Sequence, residues 1–301
     1  MTQINTFKDQ LKKHYDYCYL ESMHHLYNLY GGTDTIITGM SYAVNGIDCR
    51  YLSRRSINFA IHSQDLFYDI NHVLRAIHQD HAHKIQNVIF TLGYYSFFYD
   101  LSLTGTKRKC LDLYWPLFKN MHHIDVTDEM KSQAELAVKD PAFISFYHRF
   151  FYNEPNFYGS MMSYEETVPE ITKAGGWNML NIGERDEDAR FLAFHHNKHI
   201  KHTETFHENV SLFNKITRIL DLMNIRIFVM IMPFSPEYLN YINKDYRNII
   251  LDVIDNCEQA IHFIDINDYD LFCRDDYLNS DHLNANGAKK LAPIIDRFMN
   301  E

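Results

Sequence analysis

The chain has no cysteine pair at metal-binding or redox spacing. Its five cysteines, Cys18, Cys49, Cys110, Cys257 and Cys273, are scattered and odd in number, and none sits in a CxxC. They read as free thiols, which excludes a disulfide framework and a cysteine-based zinc site. Long apolar runs are missing too: the strongest, Ile227 to Met232, is far too short to span a bilayer. Met1 to Lys13 is polar and lacks the apolar segment of a secretory signal, so the expectation is a cytoplasmic protein with no transmembrane segment. Positive charge is scarce. With 29 Lys and Arg against 39 Asp and Glu the formal charge is −10, and nucleic acid, which calls for a basic face, is not the expected ligand. Gly31-Gly32 and Gly175-Gly176 lack any Gly-Lys-Ser/Thr or GxGxxG context, so a nucleotide phosphate loop is unsupported.

What is present is enough to build a full core: 301 residues, 46% of them apolar, in one large domain or one domain with an insertion. The 21 Tyr and 21 Phe suit flat-faced ligands such as sugars, but most are expected in the core. Residues 5–29 carry apolar positions at helical spacing and stop at Gly31-Gly32. Apolar-rich strands follow at 34–38, 87–92, 225–232 and 261–266, with a short one at 56–59. Ser63 opens a helix through Ile77, and further helices run through Val210–Leu220, Ile249–Ile254 and Ala288–Phe298. Apolar strands alternating with helices predict an α/β fold: a three-layer α/β/α sandwich around a mostly parallel, flavodoxin-like sheet. Residues 104–200 do not alternate. They read as a helical insertion that caps the strand ends, or equally as a plain helical extension, with breaks at Asn153-Glu154-Pro155 and Gly175-Gly176, inside a single domain spanning 1–301.

Ligands in such sheets bind at the C-terminal ends of the strands, and Ser41 stands at one of these, directly after Thr35-Ile36-Ile37-Thr38-Gly39-Met40. A serine hydroxyl needs a base within hydrogen-bond reach and donors for the oxyanion that forms on attack. His282 lies after an irregular polar stretch and before the last helix, which Asn284 or Asn286 can cap. That placement puts it on a loop over the edge of the sheet.

With these two residues in place, the sequence resembles the SGNH/GDSL hydrolase superfamily, and within it the branch of bacterial proteins that modify surface polysaccharides and teichoic acids. Gly39-Met40-Ser41 resembles its first block, with Met40 in place of the usual Asp. Asn58 to Gln64 resembles the second, with Ser63 where many members carry an oxyanion glycine. Gly93-Tyr94-Tyr95-Ser96 stands where the family has Gly-x-Asn-Asp, so that Tyr95 replaces the oxyanion asparagine. Asn279-Ser280-Asp281-His282 resembles the final Asp-x-x-His block, with Asn279 in place of the triad Asp. The likeness covers about residues 30–100 and 205–300.

The resemblance implies an SGNH-type sheet and a serine esterase or O-acyltransferase acting on an ester of a bacterial surface glycan or its precursor. Ser41 is then the nucleophile and His282 the base, oriented by Asn279 or Asp281. Ser41, Ser63, Gly93 and Tyr95 form the oxyanion site. Read from the residues themselves, Tyr42 is a substrate-contact candidate and Arg54-Arg55 could grip an anionic group such as phosphate, although paired arginines are usually solvated. No cofactor is required; for a transferase, acetyl-CoA is the natural acyl donor. The expected partner is a carbohydrate or glycan precursor. A catalytically degenerate binding protein and a phosphoryl-type transferase are the alternatives. The run His195 to His202 places His195, His199 and His202 at spacing that can bind zinc, but no Glu accompanies it as in the zinc proteases. It reads as a solvated helix face, and no metal site is expected.

Overall fold

The computed structural model describes residues 2–30, 33–81, 84–153 and 177–300. Gly31-Gly32, Glu154-Pro155 and Gly175-Gly176, which the sequence marks as breaks, lie outside the described residues.

Five strands form one parallel sheet: β1 (Thr35–Gly39), β2 (Ser56–Asn58), β3 (Asn87–Leu92), β4 (Arg226–Ile231) and β5 (Ile261–Asp265), in the order β2-β1-β3-β4-β5. This is the flavodoxin-like order, in which the strand order reverses between β1 and β3. Helix α3 (Ser41–Gly46) follows β1, α4 (Leu66–Gln79) follows β2, and α8 (Ile182–Asn197) and α9 (Thr203–Leu222) precede β4. Then come α10 (Pro236–Tyr241), α11 (Asp245–Asp255) and α12 (Ala285–Phe298).

Three layers follow from strand alternation. Phe90 of β3 lies beside Val229 of β4, so Phe90 and Phe228 point to opposite faces. Phe213 of α9 packs on Phe90 with ring centroids 5.7 Å apart, and Phe298 of α12 packs on Phe228 at 5.3 Å. Helices α9 and α12 therefore cover different faces. Ile36, Ile37, Val88, Ile89, Phe90, Phe228, Val229 and Met230 between these layers are fully buried, each side chain worth about 1.5–3 kcal/mol of transfer free energy. The helices start where a side chain caps them. Asp65, not Ser63, accepts the Tyr68 N–H at the start of α4, and Asn284 accepts from Asn286 and Gly287 at the start of α12. Ser63 instead takes a left-handed backbone, φ 62°.

The chain divides into two compact units, residues 1–31 with 100–158, and residues 32–99 with 159–301. The first is helical, built from α1 (Thr2–Lys13), α2 (Tyr15–Tyr30), α5 (Trp115–Phe118), α6 (Asp128–Leu136) and α7 (Pro141–Asn153). Aromatic contacts make its core: Phe7 lies 5.8 Å from Phe143, and Tyr15 lies 5.5 Å from Phe151. The boundary thus differs from an insertion at 104–200 in two respects. The N-terminal helices belong with the middle of the chain, while α8 belongs with the sheet. Among the described residues no helix is long and apolar enough to cross a membrane.

One buried carboxyl lies beneath β1. Asp69 of α4 accepts from Thr38 Oγ1 and Gln64 Nε2, both at 2.6 Å. Burial pushes its pKa up to about 7 against these bonds, with Asp65 adding to the rise. A carboxyl whose folded pKa exceeds its unfolded value supplies stability that is full below about pH 4 and is lost as pH rises through 7. Between pH 5 and pH 8 wild type is expected to lose on the order of 2 kcal/mol through this group, and Asp69→Asn is expected to lose that part of the slope. Urea midpoints of both proteins at the two pH values measure it, and equal slopes would mean that Asp69 ionises normally.

Candidate active site

The corner that presents Ser41 depends on a glycine. Gly39 ends β1 at φ 151°, and a Cβ built there would lie 1.9 Å from Thr91 Oγ1, a hydroxyl that itself donates to Thr38 O at 2.8 Å. Only a residue without a side chain lets β1 and β3 close to this distance. Met40 remains extended, and α3 begins at Ser41 itself, so the serine N–H belongs to a first turn that has no intrahelical acceptor. Beyond β2 the pairing continues with Ile61 N–H donating to Gly39 O at 3.4 Å, which brings the turn at Ser63 beside this corner.

His282 reaches Ser41 from 241 positions away. Its Nε2 is 2.8 Å from Ser41 Oγ. Its Nδ1 is 3.0 Å from Asn279 Oδ1, and the same oxygen accepts the backbone N–H groups of His282 at 2.8 Å and Asp281 at 3.2 Å. Because that oxygen collects N–H groups, Nδ1 is the protonated nitrogen and Nε2 is left to accept the serine proton. Asp281 Oδ1 also lies 2.7 Å from Nδ1, a contact that becomes an ion pair only when the ring is protonated. Burial pushes the Asp281 carboxyl up, yet the neighbouring His282, His196 and the Tyr42 hydroxyl outweigh it and hold the group below its usual range. Orientation and charge, both supplied by one carboxylate in a Ser-His-Asp triad, are here offered by two residues.

Of the other residues singled out in the sequence, some are brought to this corner and some are not. Tyr42 is buried, not open to substrate: its ring lies 5.2 Å from the His282 ring and 5.1 Å from Phe234, with Gly93 against its edge. Gly93 is not a spare oxyanion donor either, because its N–H donates to Ser96 Oγ at 2.9 Å. Arg54 and Arg55 stand immediately before β2, at the N-terminal edge of the sheet and so opposite Ser41. Arg54 faces Asp34 at 3.7 Å and donates to Asn300. They cannot grip a substrate held at the serine.

Tyr95 does arrive. Its hydroxyl accepts from Tyr42 at 3.0 Å and donates to Met40 Sδ at 3.5 Å, and burial raises its pKa well above the usual value. It stays a neutral phenol whose proton rests on a weak acceptor.

The histidine-rich run is not gathered as a metal site. Helix α8 ends at Asn197 and tightens into a 3-10 turn over Lys198–Lys201, which breaks the helical face expected to align His195, His199 and His202. His195 is exposed and packs on Phe191 and Phe194, whereas His199 packs on Tyr95 and Tyr99. The residue of the run that matters is His196, which the sequence does not single out. It stacks on Tyr95 with centroids 4.3 Å apart, and its Nδ1 lies 2.7 Å from the Tyr238 hydroxyl. Loss of hydration lowers its pKa to about 4, so it is neutral at pH 7. A cleft of about 290 Å³ with a largely apolar lining, which includes Tyr94, Leu239, Ile242, Lys244, Arg247 and Asp268, opens on the same C-terminal edge, where Tyr94 follows β3 and Asp268 follows β5.

No family model matches the chain, and no curated protein matches it. Among solved structures the chain is similar to one described as "a putative platelet activating factor from Streptococcus pneumonia", at 10% identity and a TM-score of 0.46, over 99% of this chain and 98% of the other. Likeness at that level carries no inference about chemistry.

Proposed function

We propose that the protein is an SGNH-type serine esterase or O-acyltransferase that acts on an ester group of a bacterial surface glycan or its precursor. The observation that carries the reading is the approach of His282 Nε2 to Ser41 Oγ at 2.8 Å, with Nδ1 oriented by Asn279. The glycan assignment rests on the resemblance of four sequence blocks.

Ser41 Oγ attacks the acyl carbonyl while His282 Nε2 takes its proton. The imidazolium so formed is held by Asn279 through a hydrogen bond and by Asp281 through charge. The backbone N–H groups of Ser41 and Ser63 are the donors for the oxyanion, and Tyr95 adds a third by turning its proton from Met40 to the stronger acceptor. His282 returns the proton to the departing alcohol or thiol. It then deprotonates water, or an acceptor hydroxyl, which releases the acyl group from Ser41. If the acceptor is a glycan hydroxyl, acetyl-CoA is the natural donor.

A fluorophosphonate probe tests the nucleophile directly. One adduct is expected, on the peptide carrying Ser41, with none in Ser41→Ala and slow labelling in His282→Ala. An adduct on a different serine, or none after prolonged exposure, removes Ser41 from the role. A catalytically degenerate binding protein would leave Ser41 and His282 too far apart to hydrogen-bond, and the 2.8 Å separation favours the enzyme.

A further inference from the structure

Adjacent histidines on an irregular segment have no need to share a target, but His122 and His123 do. His122 adopts a left-handed backbone, φ 54°, with its N–H donated to Asn120 Oδ1 at 3.0 Å. The two rings stack with centroids 3.9 Å apart and planes 23° from parallel. Both turn Nδ1 toward one carboxylate: His123 Nδ1 is 2.8 Å from Asp100 Oδ2, and His122 Nδ1 is 3.4 Å from Asp100 Oδ1. The three donor atoms all lie within 4.8 Å of one another. Asp100 is aimed by the Ser102 N–H, which donates to its Oδ1 at 2.7 Å. The side chains of Asp100 and His122 are 1% and 4% exposed and that of His123 is 48% exposed, so the group has a buried wall and an open side.

From this arrangement we infer that Asp100, His122 and His123 bind one divalent transition-metal ion of the zinc type. Ligand atoms placed tetrahedrally about 2.0–2.1 Å from zinc are roughly 3.3 Å from one another. Each imidazole Nδ1 already lies 2.8 or 3.4 Å from its own oxygen of the Asp100 carboxylate, and small side-chain adjustments bring one ligand atom from each residue to a common ion. The longer of the two separations is long for a charge-assisted hydrogen bond but apt for two ligands around one ion. Two imidazole nitrogens and a carboxylate form a borderline donor set, which selects zinc and its neighbours over magnesium and calcium. Three protein ligands leave the fourth position for water on the exposed side. The Ser102 N–H holds the carboxylate from behind, as outer partners do in metal sites. The ion would tie residues 100–102 to residues 120–123 within the helical unit and thereby add its binding energy to the folding of that unit. Binding of the ion depends on none of the Ser41–His282 chemistry.

The test uses the full chain without an added histidine tag, dialysed against EDTA and titrated with zinc by calorimetry and with cobalt by visible absorption. One equivalent is expected to bind with a Kd in the micromolar range or tighter, to give the strong visible bands of tetrahedral cobalt and to raise Tm. His123→Ala, at a half-exposed position, is expected to fold as wild type by circular dichroism, to bind at least about tenfold more weakly and to lose the rise in Tm. Asp100→Asn is expected to weaken binding similarly. His195→Ala, in the histidine-rich run, is expected to bind as wild type. Absence of uptake by wild type at micromolar concentration overturns the site, leaving two histidines hydrogen-bonded to a buried carboxylate. So does uptake that survives His123→Ala, or uptake lost in His195→Ala instead.

Discussion

Ser41→Ala is expected to lower kcat/KM for a short chromogenic acetyl ester by about 10³-fold or more, and His282→Ala by a similar factor. A factor of 10³ corresponds to about 4 kcal/mol of transition-state stabilisation. The two losses are expected to be nearly equal because each residue is useless to the reaction without the other. Without His282 the Ser41 hydroxyl must shed its proton to water. Without Ser41 the imidazole has only water to activate, at a place shaped for a side-chain oxygen. The double variant should therefore be no slower than either single one. If the double variant lost the product of the two factors, the residues would be acting separately and their 2.8 Å contact would be incidental. Unchanged hydrolysis in Ser41→Ala would end the serine reading altogether.

Asp281→Asn is expected to cost about 10²-fold or more in kcat, although Asn279 continues to accept the Nδ1–H. Once His282 holds the serine proton it is an imidazolium, and Asp281, 97% buried and 2.7 Å from Nδ1, is the negative charge beside it. In a site shielded from water that attraction is much larger than the same pair would feel in solvent. KM is expected to change little, since the charge matters only after proton transfer. The check is rescue: Asn279→Asp placed in the Asp281→Asn background returns a carboxylate to His282 along the N–H direction and should recover most of kcat. Failure of that rescue in a folded double variant would mean that Asp281 shapes the loop and supplies no charge to the reaction.

The sheet was legible because most of its strands are apolar-rich runs separated by helices, and all five fall within a residue or two of the expected positions. Helical periodicity marks which face of a helix is apolar, but not which partner covers it. That is why α1 and α2 joining residues 100–158, and α8 joining the sheet, could not be read in advance. Within the site, Ser41 and His282 were legible from their places at the ends of elements, and Asn279 from its spacing of three before the histidine. The misplacement of Arg54 and Arg55 was avoidable. Residues that immediately precede a strand parallel to β1 must stand at the edge away from Ser41. The burial of Tyr42 and the commitment of the Gly93 N–H depend on tertiary packing and leave no local sign. His196 was hidden in a run whose composition suggests a solvated surface. Only the stacking on Tyr95 and the bond to Tyr238 distinguish it from its neighbours. His122 and His123 carry a local sign, two imidazoles in a row, but their common target lies more than twenty positions back, at Asp100.

The span of 241 residues between Ser41 and His282 has a consequence for how the protein comes into being. A chain still emerging from the ribosome has completed β1, β2 and β3 long before the histidine is synthesised. Until then the serine is an ordinary alcohol. Closing a contact of that range is among the last and slowest events of folding. On the proposed reading, the onset of ester hydrolysis should therefore follow the docking of the final helix and lag behind the signal from early sheet formation. In a refolding experiment the protein would then carry its own reporter of completion, and loss of the last helix alone would silence it while most of the sheet remained standing.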